Sequence, residues 1–384
     1  MDECKEYKGF EQGPIRPPSE AYSLLIRVTR NCPWNKCLFC PVYKEERFSP
    51  RPIEDILRDI DQIAKSISII NLRYGGDTSA IHQWEIEYLL KKFEIDWNAF
   101  ISAYYWHASG MQSVFLQDAN SLVLPTEKLL VILRKIKEEF PTVKRITSYA
   151  RSQTIYKKSL SELMSLREAG LNRLHIGLES GSDNVLKFMC KGVTKQQHIE
   201  AGNKVMEAGI ELSEYYMPGL GGKNLREEHA LESADAINKI NPTFIRLRTL
   251  AIPQNTPLYE EWKKGNFEKC SEDEVVEEIL MFIENLDGIY SILKSDHILN
   301  LLPEVEGKLP EDKQKMIKVL ETYLSLPEEE KLLFKVGRRA GIFSALGELL
   351  DLQKRQSVRI IIEKFGITPE NLEKIINELM SKML

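Results

Sequence analysis

The chain has 384 residues, 43% hydrophobic and 28% charged, with a formal net charge of -5. That is enough apolar material for a sizeable core, in one large domain with an appendage or in two domains. The acidic balance does not support a dominant electrostatic hold on nucleic acid or on an anionic membrane surface, and no stretch approaches the roughly 18 apolar residues of a membrane helix.

The opening residues carry Asp2, Glu3, Lys5 and Pro14 without an apolar run, so no signal peptide is expected and the cytoplasm is the default compartment. The first strand is predicted over Ser23–Thr29, and a loop with three cysteines follows it directly. Ile53, Ile56, Leu57, Ile60, Ile63, Ala64 and Ile67 make the stripe of a helix packed on one side. Residues 71 to 110 read as a helical insertion containing Trp84, Phe93, Trp97, Tyr104, Tyr105 and Trp106. Within it, Tyr74-Gly75-Gly76-Asp77 reads as a turn after a helix.

Alternation then takes over. Strands are expected at Ser113–Gln117, Arg145–Tyr149, Arg173–Leu178, Ile210–Met217 and Thr243–Thr249. Helices are expected between them at Thr126–Phe140, Ser159–Ala169, Thr194–Ala208 and Leu225–Ile240. Thr194 with Gln197 reads as a capping box, and Gly170 and Gly209 stand where helix C-caps belong. Repeated strand–helix units imply an α/β fold with a parallel sheet, which a complete, partial or open barrel would each satisfy. Beyond Leu250 come a helix near Glu272–Asn285, a possible strand Ile289–Lys294, and from Pro310 helices broken near Pro327, Gly341 and Gly366. The expected organisation is an N-terminal segment 1–20, a core 21–300 with its insertion at about 71–110, and a C-terminal helical domain 301–384.

The segment Asn31-Cys32-Pro33-Trp34-Asn35-Lys36-Cys37-Leu38-Phe39-Cys40-Pro41 carries the chemistry. Three thiolates on a short loop can cap three irons of a cubane and leave the fourth open for coordination. Phe39 can cover one face of such a cluster. The alternatives are a three-cysteine zinc site completed by a distant His, or three unrelated thiols; zinc normally requires a fourth ligand, and none lies close in sequence. Cys4, Cys190 and Cys270 are scattered and read as ordinary residues.

On these residues the sequence resembles the radical S-adenosylmethionine superfamily, whose hallmark is Cys-x3-Cys-x2-Cys with an aromatic before the third cysteine. Cys32, Cys37, Phe39 and Cys40 match, although four residues separate Cys32 from Cys37 instead of three. The resemblance covers about residues 20 to 300 and looks closest to the branch of oxygen-independent coproporphyrinogen oxidase. It implies a partial (β/α)6 TIM-like barrel, a 4Fe-4S cluster and S-adenosyl-L-methionine, with an electron donor such as flavodoxin or ferredoxin. It also implies the reaction: S-adenosylmethionine chelates the open iron, an electron cleaves its sulfur–carbon bond, and the 5′-deoxyadenosyl radical abstracts a hydrogen atom from substrate.

Ligands of parallel barrels gather at the C-terminal ends of strands, which nominates further residues. Asp118 and Asn120 follow the second strand, where the family carries a Gly-Gly-Glu-like turn that grips an ammonium; the glycines are missing here. Arg151, past the third strand, could pair with the S-adenosylmethionine carboxylate. Glu179 and Ser180 lie in Gly-Leu-Glu-Ser-Gly-Ser, similar to a family motif near the cofactor; the alternative is a salt bridge from Glu179 to Arg151 or Arg248. Gly219 and Gly221, in Met217-Pro218-Gly219-Leu220-Gly221-Gly222, resemble the turn beside adenine, or simply join strand to helix. Asp296 and His297 are candidates for substrate contact or proton transfer, with Asp orienting a His that titrates near neutrality. Their alternative is the N-cap of a helix running through Leu302.

Some classes are disfavoured. About thirty residues precede the motif, which would leave no room for an upstream cobalamin-binding domain, and the spare cysteines are too dispersed for an auxiliary cluster. Without a basic tail, a nucleic-acid partner is not expected; an unidentified small molecule or peptide is the expected substrate. Two other classes stay open: a cluster-bearing scaffold that binds a partner through its C-terminal helices, and a zinc-bearing barrel.

Overall fold

A computed structural model describes residues 7–382; Cys4 therefore lies outside the described residues. The chain packs as two units. The first comprises residues up to Pro33 with Glu45–His175 and Glu207–Glu211; the second comprises Trp34–Lys44, Ile176–Met206 and Leu212 onward.

In the first unit, β1 (Leu24–Arg27) pairs in parallel with β4 (Ser113–Gln117), and β4 with β5 (Arg145–Ala150). Beyond Arg27 the expected first strand breaks: Thr29–Arg30 (β2) turns aside to pair antiparallel with Ser49–Pro50 (β3). Helix α1 (Ile53–Tyr74) buries Ile56, Ile60, Ile63, Ile67 and Ile70 along one stripe. It ends where Gly75 adopts φ +59, a left-handed cap that glycine adopts without strain. The insertion is helical, as α2 (Gln83–Phe93) and α3 (Trp97–Ala108). Helices α4 (Thr126–Glu139) and α6 (Leu160–Glu168) fall where their periodicity placed them, and the short α5 (Ser152–Lys157) precedes α6.

Strand β6 (Leu171–Glu179) gives Leu171–His175 to the first unit and Ile176–Glu179 to the second. In the second unit, β7 (Glu211–Tyr216), β8 (Phe244–Leu247) and β9 (Ile292–Lys294) pair in parallel in that order, and β10 (Gly307–Lys308) closes antiparallel on β9. Between them run α7 (Asp183–Phe188), α8 (Lys195–Glu207), α9 (Arg226–Ile240), α10 (Pro257–Lys263) and α11 (Glu272–Glu284). The Thr194 amide and hydroxyl exchange hydrogen bonds with the side chain and amide of Gln197, a reciprocal cap at the start of α8.

The last helices are α12 (Lys313–Leu324), α13 (Glu328–Arg339), α14 (Leu352–Phe365) and α15 (Pro369–Lys382). Helix α13 opens on Glu328, Glu329 and Glu330 and closes on Arg338 and Arg339, charges that complement its dipole at both ends. It docks on α11 through ion pairs Lys335–Asp273 (2.8 Å) and Arg339–Glu272. No helix among the described residues is long and apolar enough to cross a membrane.

Candidate functional site

The first unit fixes the approach to Cys32. Asp118 is fully buried, and its Oδ2 accepts from Arg27 Nε (3.0 Å), Arg27 Nη2 (2.8 Å) and the Asn31 amide (3.2 Å). Asn31, at φ +67, also donates its side-chain amide to the Arg47 carbonyl (2.8 Å). The carboxylate expected to grip a ligand ammonium thus already has partners within the protein. It neutralises a β1 arginine and pins the residue before Cys32. Asn120 is likewise used within the protein: its Oδ1 accepts from the Arg151 amide (3.2 Å) and its Nδ2 donates to Thr154 Oγ1 (2.8 Å), tying the end of β4 to the start of α5. Arg151 stands half-buried immediately before α5, with extended backbone.

Residues far upstream complete this corner. Glu11 pairs with Arg30, and lies 3.6 Å from Arg27 and 3.5 Å from Arg51, which in turn pairs with Asp59 at 2.6 Å. Burial pushes the Glu11 carboxyl up, but Arg30, Arg51 and Arg27 together outweigh it and hold it below the usual range. The Gly13 amide donates to Gln117 Oε1 (2.8 Å), and Gln117 Nε2 donates to the Ile15 carbonyl (2.8 Å), so residues 11–15 strap the end of β4.

The second unit holds the rest of the cysteine loop. The Leu38 amide donates to the Met189 carbonyl (3.0 Å), the Leu258 amide to the Leu38 carbonyl (3.0 Å), and the Trp34 indole to the Cys190 carbonyl (2.7 Å). Lys44 Nζ donates to the carbonyls of Asn35 (3.2 Å) and Cys37 (2.9 Å). Leu38 and Phe39 pack on a cluster that includes Met189, Met217, Leu220 and Leu258. Cys32, Cys37 and Cys40 are half-buried, and none is in a disulfide. Cys32 belongs to the first unit and the other two to the second. Among the described residues no group of three His, Cys, Asp or Glu is gathered as a metal-ligand set within either unit.

Glu179 ends β6 at φ +61, an uncommon conformation for a residue with a side chain, of a kind that concentrates at functional sites. Its Oε1 meets Lys191 Nζ at 3.2 Å, so its ion-pair partner is Lys191 and not Arg248. Its Oε2 is shielded from solvent and has no hydrogen-bond partner. Gly177 makes room for this carboxyl: a Cβ there would stand 2.9 Å from Glu179 Cδ and 3.0 Å from Lys191 Nζ.

The buried hydroxyl of Ser180, expected near the cofactor, bonds to His229 Nδ1 (2.8 Å) and accepts from the Ser182 amide (3.0 Å), so it builds the loop. His229 Nε2 reaches the Met217 carbonyl (3.0 Å) and lies 3.4 Å from Glu278 Oε1, which accepts from Tyr216 Oη (2.7 Å) and the Gly219 amide (2.9 Å). Burial, opposed by the Met217 carbonyl, drives the His229 imidazole down to about 4. Burial also pushes the Glu278 carboxyl up to about 8. At neutral pH the pair is uncharged, as suits a site cut off from water. The network locks the glycine turn. Gly219 (φ +87) commits its amide to Glu278, and a Cβ on Gly221 would stand 2.8 Å from His229 Cβ and the Leu225 carbonyl oxygen. Gly219 is favoured by its left-handed backbone and Gly221 by the packing beneath the turn.

Asp296 and His297 also differ from expectation. Residues 295–306 form no helix, so the capping alternative fails. Asp296 pairs with buried Arg246 and does not orient the His297 ring. Burial, followed by nearby Arg248, drives His297 down to about 4, out of the neutral window. Ser295, buried, donates to the Leu302 carbonyl (3.0 Å).

Residues 26–234 match the Radical SAM superfamily. This chain belongs to that superfamily. The tRNA uridine(34) acetyltransferase of Methanocaldococcus jannaschii is 24% identical over 287 residues, 69% of this chain and 49% of that protein. The mitochondrial tRNA methylthiotransferase CDK5RAP1 of Homo sapiens is 21% identical over 297 residues, 72% of this chain and 44% of that protein. The chain thus spans less than half the length of either relative. Among solved structures, the cobalamin-dependent S-adenosylmethionine radical enzyme OxsB aligns with 94% of this chain and 54% of its own, at 16% identity and a TM-score of 0.44. None of these relatives singles out the coproporphyrinogen oxidase branch.

The chain is accordingly a radical SAM enzyme with the α/β, partial TIM-like barrel of its superfamily. The superfamily's cofactors are a 4Fe-4S cluster and S-adenosylmethionine. The residues present fit them: three cysteines outside any disulfide on one loop, an aromatic ring at Phe39 beside the third, and a shielded carboxylate oxygen on Glu179 that lacks a donor.

Proposed function

We propose that this enzyme reductively cleaves S-adenosylmethionine at a cluster held by Cys32, Cys37 and Cys40 and abstracts a hydrogen atom from an organic substrate. The observation that carries the reading is the trio of half-buried cysteines, none in a disulfide, within a nine-residue stretch. When bound, the two cofactors supply one-electron bond cleavage and hydrogen-atom abstraction. The protein binds, orients and excludes water. Cys32, Cys37 and Cys40 would hold the cluster through their thiolates. Phe39, packed on the apolar residues next to the loop, would help keep water from it. Glu179 Oε2 accepts from an ammonium or hydroxyl of S-adenosylmethionine, Arg151 pairs with its carboxylate, and the backbone of Gly219–Gly221 lies against its adenine. Flavodoxin or ferredoxin would supply the electron.

In this reading residues 21–300 are the catalytic core, with the insertion at about 71–110, flanked by a segment 1–20 and a helical domain 301–384. The net charge of -5 favours a small-molecule or peptide substrate over nucleic acid. The names of the tRNA-modifying relatives describe proteins more than twice the aligned length.

The test is anaerobic reconstitution with iron and sulfide, followed by dithionite and S-adenosylmethionine, with 5′-deoxyadenosine as the readout. Product supports the reading. A cluster that never cleaves the cofactor favours a scaffold, and zinc retained in place of iron favours a zinc barrel. Cys37→Ser should lower bound iron to background; cleavage persisting in that variant overturns the ligand assignment.

A further inference from the structure

The end of β8 is cationic on one face. Ile245 and Leu247 are buried on the other, so the period of two sets Arg246 and Arg248 side by side. The sheet register pairs Arg246 with Lys294 of β9. The Arg248 amide donates to the Tyr216 carbonyl (3.0 Å), which carries strand geometry one residue past β8. Two of these three cations have a carboxylate, Arg246 with Asp296 and Lys294 with Glu306 at 3.2 Å. Among the described residues the half-buried guanidinium of Arg248 makes no ion pair and no hydrogen bond. His297 follows Asp296, and its Nδ1 is shut off from solvent without a partner. The shielded ring nitrogen is costly to leave unsatisfied unless a ligand completes it, and the guanidinium near it has no carboxylate to neutralise it.

The two are held in fixed relation. Asn300 grips both neighbours of Arg248: its Nδ2 donates to the Leu247 carbonyl (3.0 Å), and its Oδ1 accepts from the Thr249 amide (3.1 Å) and hydroxyl (2.9 Å). The same Asn300 donates to Ser295 Oγ (3.1 Å), and its amide donates to the His297 carbonyl (3.0 Å). One side chain thus binds the end of β8 to the loop that carries His297. Such prior ordering is what a binding site needs to avoid loss of entropy on association.

We propose that Arg248 and His297 form a preorganised subsite for an anionic oxygen group of the substrate, a carboxylate or a phosphate. Arg248 supplies the planar, always-charged fork, and neutral His297 supplies a ring N–H. The place suits the role, because ligands of parallel barrels collect at the C-terminal ends of the strands. The inference rests on the radical SAM reading only for the statement that the ligand is the substrate.

The test uses the reconstituted enzyme with 13C-labelled histidine, titrated separately with inorganic phosphate and with acetate while the His297 resonance is followed. Saturable shifts are expected. Arg248→Ala should weaken the apparent affinity about tenfold or more, and His297→Gln less. Tighter binding of phosphate assigns a phosphate, and tighter binding of acetate a carboxylate; either supports the subsite. Absence of saturable shifts overturns it, as does unchanged affinity in a folded Arg248→Ala protein. Loss of the anion effect once S-adenosylmethionine is bound would reassign the site to the cofactor's own carboxylate. Cleavage of S-adenosylmethionine is scored separately on the unmodified enzyme, so failure of the subsite is distinguishable from failure of the reaction.

Discussion

Replacement of Gly192 by alanine should dislodge the cysteine loop without touching a cysteine. Gly192 has φ +71, and a Cβ built there would stand 2.6 Å from two ring carbons of Trp34 and closer still to a third. The backbone conformation costs an L-residue about 1–2 kcal/mol, and forcing a methyl into filled space costs about 1–3 kcal/mol. The expected destabilisation is therefore about 2–5 kcal/mol. Trp34 is the indole that donates to the Cys190 carbonyl three residues before the loop's second cysteine, so its displacement should also lower iron bound on reconstitution. Urea denaturation and iron analysis of Gly192→Ala, Trp34→Ala and the double variant make the assay. In the Trp34→Ala background the steric part should vanish and only the backbone part remain. Equal midpoints and equal iron in Gly192→Ala and the parent would refute the reasoning.

Ser180→Ala should destabilise by about 1–3 kcal/mol, because it leaves a buried His229 nitrogen unsatisfied, while the dissociation constant for S-adenosylmethionine stays within twofold; a large binding loss would return Ser180 to the ligand. Glu179→Gln should keep the cluster's visible absorbance and weaken S-adenosylmethionine binding about tenfold by equilibrium dialysis; unchanged binding would remove Glu179 from the site. His229 should make stability pH-dependent. Its pKa is about 4 folded against about 6.5 unfolded, so the unfolded state takes the proton first. The His229 contribution is full above about pH 6.5 and falls as the pH drops toward 4, by roughly 3 kcal/mol, while the raised carboxyl of Glu278 contributes with the opposite sign. Unfolding free energies measured across that window should flatten in His229→Gln; an unaltered slope would show that another group is responsible.

The long periodic helices and most of the strands were legible because a stripe of apolar residues marks the face each one buries. α1 and its Ile56, Ile60, Ile63, Ile67 and Ile70 show this plainly. Helices α5, α7 and α10 have six or seven residues, too few for a period to register. Ser295-Asp296 looked like a helix start because cap residues also serve loops; here Ser295 reaches the Leu302 carbonyl instead. At the site, the cysteines were visible through spacing alone, but the identity of each carboxylate's partner was not. Asp118 finds Arg27 across 91 positions and Glu278 finds Tyr216 across 62, separations that no local pattern records. Glu179 was singled out by its motif, yet its partner Lys191 lies beyond an intervening helix. Gly177 and Gly192 carry a signal only in retrospect, since a glycine's purpose is the atom that would otherwise collide with it.

Helix α13 donates from Arg338 to the carbonyls of Asn300 (3.2 Å) and Leu301 (3.0 Å), and from Arg339 to that of Leu299 (3.1 Å). Three successive peptide units of the β9 loop are thereby splinted by a helix almost forty residues downstream. Shortening the chain at the start of α13 would remove all three bonds. Under the proposed anion subsite, the distant tail is thereby a jig for the loop that carries His297.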